Sequence, residues 1–491
     1  MLRMTALLGA VALAGCTVGP DFRQPEAPKA SHYTLLELSE AATDQKVVEG
    51  SEVPAQWWTM FGSEALSQLV ERGLADSLTV AAAKARLKAV QENLNSQVGS
   101  VIYPSVDAGA SASRQKISGA SFGGRSRIYN VYNASVSASY GIDLFGASRR
   151  YLETLEAQID YEQYQLQAVR MTLAANIVTT AVKEASLRRQ LEVTRQMITD
   201  SEAQLAMVEH QAELGAVPQA AVLSQRTALA QTRTALPGLE KQLEQNRHLL
   251  HVLVGDFPSA GNLPEFTLDT MHLPQALPLS LPSELVRQRP DILAAEALLH
   301  QASANVGLAT ANMYPRITLT GSYGSESPTG AGMFSAGSTV WGAGAGLLQP
   351  LFHGGELRAK KREAVASYNQ AQASYQEVVL QAFRDVADNL LALEMDGRSL
   401  SLQRDAEAAA GDTLALVQQQ YRLGAASYLE LLDASYQSQQ ATISRTQAEA
   451  VRFADSAALI HALGGGWWNK SGAQEVQAPV KSTDTAMEST P

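Results

Sequence analysis

Apolar positions recur at helical spacing almost without interruption from Gly354 to Gly464. Val379, Phe383, Val386, Leu390 and Leu393 lie 4, 3, 4 and 3 residues apart, the seam of a helix that packs along its length. This predicts one helix over 355–422, about 68 residues and roughly 100 Å at 1.5 Å per residue. Gly424 supplies the left-handed residue that ends such a helix. A second pattern returns from Ser427 to Leu463 and stops at Gly464-Gly465-Gly466-Trp467-Trp468. An earlier stretch reads the same way: a helix of about 67 residues to Glu213, the turn Leu214-Gly215-Ala216-Val217-Pro218, and a return to about Leu253. Shorter helical patterns, Ser63 to about Ser100 and Ser283 to about Met313, precede the two long ones.

Between the short and long helices the period changes from 3.6 to 2. Val106, Ala108, Ala110 and Ala112 alternate with Ser105, Asp107, Ser111 and Ser113, and Tyr132, Ala134, Val136, Ala138, Tyr140 and Ile142 alternate with Asn133, Ser135, Ser137 and Ser139. The second half repeats this with Ile317, Leu319 and Tyr323 against Arg316, Thr318, Thr320 and Ser322, then with Trp341, Ala343, Ala345 and Leu347 among glycines. Each strand has an apolar and a hydroxyl-rich face, and 9 to 11 alternating residues is about what a tilted strand needs to cross a bilayer.

The chain is a tandem duplication. Phe145 matches Phe352 at an offset of 207, Gly215 matches Gly424 at 209, Leu249-Leu250-His251 matches Leu459-Ile460-His461 at 210, and Tyr103-Pro104 matches Tyr314-Pro315 at 211. The organisation expected is a signal peptide over 1–15, an N-terminal tether and equatorial segment over 16–62, and a first repeat over 63–254 with barrel strands in 103–142 and a tip turn at 214–218. A Pro-rich irregular connector over 255–282 leads to a second repeat over 283–466, with barrel strands in 314–350 and a tip turn at 422–426. A polar tail over 467–491 reads as disordered.

These lengths predict short helices stacked end to end beside each long one, in a layer about 100 Å tall with strands at one end and the Gly215 and Gly424 turns at the other. Four strands cannot close a transmembrane barrel, whose minimum is about eight, and open edges are not tolerated in lipid. Several copies must therefore share one barrel, and the protein is expected to be an obligate oligomer.

Composition narrows the partners. The net charge of -11 offers no basic stripe for phosphates, which argues against a nucleic-acid partner. Arg3 and a short apolar run precede Leu13-Ala14-Gly15-Cys16, too short for a transmembrane helix and suited to a signal peptide. Cys16 is the only cysteine, so no intramolecular disulfide can form. Its setting resembles the bacterial lipoprotein cleavage box, which implies a lipid on its thiol; with Thr17 following, sorting to the outer membrane is implied. No later run of about 18 apolar residues exists, so any spanning must use strands. Enzyme motifs are absent: no Gly-x-Ser-x-Gly, His-Glu-x-x-His or phosphate-binding Gly-Lys-Ser/Thr loop occurs. His248 and His251 are spaced to meet a metal, but only His251 has a repeat counterpart, His461, which favours a structural role and no metal. Trp57-Trp58 and Trp467-Trp468 read as packing residues of the equatorial belt.

Leu13 to Phe22, Trp57-Trp58 with Phe61-Gly62, Asp143-Leu144-Phe145-Gly146, Arg289-Pro290-Asp291-Ile292 and Gly464-Gly465-Gly466-Trp467 together resemble the outer-membrane lipoproteins, or outer membrane factors, of resistance-nodulation-division efflux systems, in the TolC-like superfamily. The resemblance covers residues 1 to about 468. It implies a mainly α fold with a membrane β-barrel: a homotrimer whose subunits give four strands each to a 12-stranded barrel above a tandem-duplicated, coiled-coil periplasmic tunnel. It also implies a periplasmic adaptor protein, an inner-membrane proton-driven pump, and no cofactor beyond the lipid on Cys16. By the family's pattern Leu429 forms an apolar ring and Asp433 a carboxylate ring, one residue from each subunit, that close the tunnel. The family often carries an arginine three residues after this aspartate, as part of an ionic latch. Here the position is Tyr436, which leaves Tyr421 and Arg422 as latch candidates. The turns at Gly215-Ala216 and Gly424-Ala425 become adaptor-docking tips. The same architecture can serve as an exit duct for type I protein secretion, against which Cys16 speaks, and a periplasmic coiled-coil scaffold without a pore is the remaining alternative.

Overall fold

The computed structural model describes residues 17–34, 45–118 and 126–469; the signal peptide, Cys16 and residues 470–491 of the tail lie outside them. Eight helices carry the described residues: α1 (Glu64–Asp76), α2 (Leu78–Ile102), α3 (Ala147–Glu213), α4 (Gln219–Leu253), α5 (Pro282–Gln288), α6 (Pro290–Ala311), α7 (Glu356–Arg422) and α8 (Tyr428–Ala462). Six strands accompany them: β1 (Lys46–Glu49), β2 (Ser105–Ile117), β3 (Arg127–Ile142), β4 (Ala276–Leu279), β5 (Arg316–Ser327) and β6 (Thr339–Leu348). Contacts divide the chain into two units: Met1–Ala27, Leu78–Val169 and Pro290–Ala382 form one, and Pro28–Ser77, Arg170–Arg289 and Phe383–Pro491 the other.

The first unit holds an antiparallel sheet in the order β2-β3-β5-β6. Its register puts Ala108 beside Val136, Tyr323 and Trp341 on one face, and Asp107 beside Ser137, Ser322 and Gly342 on the other. The apolar and hydroxyl-rich sets therefore separate cleanly, as the period of two requires. β3 and β5 join the two halves of the duplication. β2 and β6 are the outer strands, each with one ladder edge unpaired. At the base of the sheet Phe145 stacks on Tyr314 at 4.8 Å between ring centroids. Below it α6 is packed on several sides, with Ile292, Ala294, Leu299 and Val306 buried, whereas α2 buries only Val80.

Residues 17–22 are not a free tether. The Val18 amide donates to the Phe145 carbonyl, Arg150 donates to Asp21 at 2.6 Å, and Phe22 stacks on His300 at 4.4 Å. Gly19 approaches Gly307 so closely that a Cβ on Gly19 would lie 2.4 Å from the Gly307 Cα. That contact is the physical content of the Val18-Gly19-Pro20-Asp21-Phe22 motif.

In the second unit the tether and the Pro-rich connector both contribute structure, contrary to the expectation of coreless linkers. β1 and β4 pair in parallel, Lys46 with Ala276 through Glu49 with Leu279. Trp57 and Phe61, at 1 % and 0 % exposure, lie in the core with Leu66, Ile177, Leu250 and Leu459. A strand of four residues is too short to show an alternating pattern, so β1 and β4 escape a reading by period. Each short helix is also divided where one was expected. Ser77 is extended (ψ 129°) between α1 and α2, and Arg289 (ψ 123°) between α5 and α6. Arg289 precedes a proline, which disfavours helical backbone there. Gly464, Gly465 and Gly466 all take positive φ (96°, 65° and 68°), and a Cβ on Gly466 would sit 2.4 Å from the Pro54 carbonyl oxygen. Three left-handed residues, Gly464 and Gly466 of them against backbone and Gly465 against the Met171 side chain, explain why this stretch is glycine. The Trp467 indole N–H then donates to the Gln288 carbonyl at 2.8 Å.

Candidate functional site

The two tip turns lie in the second unit and share one geometry. Gly215 (φ 76°) and Gly424 (φ 74°) follow the helix ends, and the amides of Ala216 and Ala425 each return 2.8 Å bonds to carbonyls five residues back, those of Gln211 and Gln420. This is the glycine-closed helix end that satisfies the last carbonyls. Leu214 and Leu423 stand 71 % and 77 % exposed at the two turns. The exits differ. Ser427 caps α8 in a reciprocal box with Glu430, whose carboxyl is held below its usual range by the Ser427 amide, whereas α4 starts after Pro218 without a side-chain cap.

Past the second turn, Leu429, Leu432, Asp433 and Tyr436 of α8 face a groove of about 470 Å³, whose other walls include Met197, Asp200 and Gln204 of α3 and Gln225 of α4. Leu429 is 73 % exposed and Asp433 is exposed. The groove thus brings together both residues expected to form the rings, with Tyr436 beside them.

The latch candidates separate. The Tyr421 hydroxyl donates to the Met207 sulfur at 3.1 Å, and its ring lies 5.9 Å from that of Tyr428, whose hydroxyl pKa is pushed up by burial. Arg422 bonds only its own helix, through the Gln418 carbonyl at 3.3 Å, and makes no ion pair among the described residues. Two further links between the repeats were not anticipated from sequence. Gln439 Nε2 donates to Asp200 Oδ2 at 2.6 Å, and Gln447 Nε2 to Gln190 Oε1 at 2.9 Å. Glutamines on a coiled-coil flank carry no positional signal of their own, so only the repeat geometry reveals them.

Ion pairs are unevenly distributed. α3 and α4 are joined by Arg226–Glu209, Arg233–Glu202 and Arg195–Glu240 at 2.6, 2.6 and 3.1 Å. Residues 428–444 of α8 contain no lysine or arginine, and the nearest pair joining α8 to α7 is Arg445–Glu407 at 2.7 Å. Near its tip α8 therefore brings no cation to such a pair, and the Tyr421 and Tyr428 rings pack there 5.9 Å apart.

A strand-rich unit with open sheet edges and long helical hairpins ending in glycine turns define the class: an outer-membrane channel fold. The chain belongs to the outer membrane efflux protein family, whose profile matches residues 69–256 and 281–465. It is 29 % identical over 476 residues to the probable efflux pump outer membrane protein TtgC of Pseudomonas putida, covering 96 % of each chain. It is 32 % identical to the pyoverdine export outer membrane protein OpmQ of the same species, covering 84 % of this chain and 88 % of that one. Among solved structures it matches the outer-membrane channel OprN with a TM-score of 0.83 and 28 % identity, over 92 % of this chain and all of the other.

Proposed function

We propose that three copies of this chain form one outer-membrane exit duct of a tripartite efflux system. The duct passively conducts small molecules that an inner-membrane pump and a periplasmic adaptor deliver to it. The observation that carries this is the four-stranded sheet with both outer ladder edges unpaired. In lipid an open edge costs several kcal/mol per unsatisfied group, and three sheets of four close a ring of about twelve strands with the apolar face outward. The hydroxyl-rich face then lines a wet lumen. Relatives named as efflux and export outer membrane proteins support small-molecule cargo. No energy-coupling site is assigned to the duct, so direction comes from the pump.

Cys16 carries the lipid anchor in this reading. Support comes from its neighbour Thr17, which lies against Gly146 just beyond the end of β3, a strand this reading sets in the membrane. Leu429 and Asp433 form the apolar and acidic rings of the closed end. Gly215-Ala216 and Gly424-Ala425 present the adaptor-docking tips with exposed Leu214 and Leu423. Tyr421 latches the second hairpin to the first through Met207, joined by Gln439 and Gln447, while Arg422 remains available to the adaptor.

Electron microscopy of the detergent-extracted lipoprotein tests the assembly: a threefold tube is expected, and folded monomers would overturn the duct. In planar bilayers, Leu429→Ala with Asp433→Ala should raise conductance, and an unchanged value would discard the two rings.

A further inference from the structure

We infer that the apolar face of the sheet carries a binding site for a phosphorylated, multiply acylated glycolipid of the outer leaflet. Arg114 and Lys116 hold its phosphates, and a groove below them takes one of its acyl chains. This rests on the barrel reading above, in which that face meets lipid, and goes beyond it by naming the lipid and its contacts.

Charge on the four strands is sorted by face. Of their six charged residues, Asp107, Arg127, Arg316 and Glu326 lie on the hydroxyl-rich face, and only Arg114 and Lys116 on the apolar one. A rim that served solubility alone would mix the signs. Both cations are exposed, and among the described residues neither enters an ion pair.

Register sets their height. β2 enters the sheet from α2 at Ser105 and β3 leaves it for α3 after Ile142, so Lys116 and its partner Ile128 lie at the end remote from the helices. Tyr132, opposite Ala112, is the last aromatic of the strands on the apolar face in this direction, and Arg114 stands opposite Asn130 one step further. Arg114 and Lys116 are two and four residues beyond Ala112, about 7 and 13 Å along the strand. At a tilt of about 40° they stand about 5 and 10 Å above an aromatic girdle, within and just beyond a headgroup layer of about 5–8 Å. Paired cations at that level meet lipid phosphate.

Below them a groove of about 880 Å³ opens on the same face. Ala108, Ala110 and Ala134 form its floor, where small side chains leave the hollow, and Tyr323, Met333 and Phe334 stand around it. Met333 and Phe334 belong to the loop between β5 and β6. That loop folds over the apolar face because Ser325, on the face of Tyr323, and Ser338 both donate their hydroxyls to the Met333 carbonyl. Gly332 in the loop comes so close that a Cβ on it would lie 2.2 Å from Ser327 Oγ. Phe334 is 93 % exposed on this pinned loop, apolar area that water disfavours and an acyl chain covers. Ala110 lies four residues from Arg114, about 13 Å along β2, so a lipid whose phosphate sits at Arg114 reaches the groove with a chain.

The test is titration of the detergent-extracted, full-length lipoprotein with lipid A, read by native mass spectrometry. Arg114→Gln with Lys116→Gln should weaken binding about thirtyfold, each cation contributing about fivefold. Arg114→Gln with Gln115→Arg keeps the net charge but turns one cation to the hydroxyl-rich face, and should cost about fivefold. Arg127→Gln, on that face, should cost nothing. Ala134→Phe fills the floor of the groove and should weaken lipid A binding at unchanged conductance. Wild-type affinity in the double variant overturns the site. An equal loss from Arg127→Gln, or equally tight binding of phosphatidylglycerol, overturns it as well, by reducing it to general attraction for anionic lipid. Bilayer conductance of the same preparation separates the two readings: channels that conduct but fail these tests lose only the lipid site, whereas folded protein that neither conducts nor binds lipid A overturns the barrel reading too.

Discussion

Gln439→Ala should favour the open duct. The amide donates to Asp200 Oδ2 at 2.6 Å and joins the second hairpin to the first. A hydrogen bond to a charged group contributes about 1.5–3 kcal/mol. Asp200 is half-buried and keeps the Gln196 amide at 2.8 Å, so the lower end of that range applies, about 1.5 kcal/mol per subunit. At about 1.4 kcal/mol per decade, the open fraction should rise about tenfold for each subunit that moves independently. Gln447→Ala, which loses a neutral amide pair at 2.9 Å, should have the smaller effect. The assay is bilayer conductance at constant salt, with native mass spectrometry establishing that the variant is trimeric. A trimeric Gln439→Ala variant with wild-type conductance, beside a Leu429→Ala/Asp433→Ala variant that conducts more, would refute the latch while keeping the gate.

Further tests address the frame. Gly466→Ala should abolish stable trimers, because the new Cβ would lie 2.4 Å from the Pro54 carbonyl oxygen, whereas Gly424→Ala, with φ 74° and nothing within 4 Å, should cost only about 1–2 kcal/mol in urea unfolding. Equal losses would remove the argument from backbone contact. Burial and the neighbouring Asp396 push the Asp455 carboxyl up to about 7. The unfolded chain releases that proton near pH 4 and the folded one near 7, so thermal stability should fall as pH rises across this window and level off above it. Asp455→Asn should flatten that part of the profile, and an unchanged slope would assign it to other groups.

The large elements were legible because each spans many periods of its own pattern. α7 begins at Glu356 and ends at Arg422, within one residue of the limits set by the Val379–Leu393 seam and the Gly424 turn. Short or composite elements were not. β1 and β4 are four residues each, and Ser77 interrupts a continuous apolar period with no proline to announce it. The Arg289 break could have been read from Pro290, and the duplication then places Ser77 at the equivalent site. At the candidate gate, Leu429 and Asp433 were reached by resemblance and share a groove, while Gln439–Asp200 needed three dimensions because its partners are 239 residues apart.

The glycine turn after α8 also bears on the order in which the chain can fold. Asn469 donates to the Val53 carbonyl at 2.7 Å, and Gly466 lies against Val53 and Pro54, so the last described residues complete a core begun near residue 45. Loop closure over more than 400 residues is slow, and little of this unit can be finished before the last of it has been exported. Until then Trp57 and Phe61 lack part of their packing, and the nascent chain presents apolar surface to whatever escorts it. Periplasmic chaperone demand should therefore last until residues 464–469 have been exported and docked, and a truncation before Gly464 should be degraded as an unfinished chain.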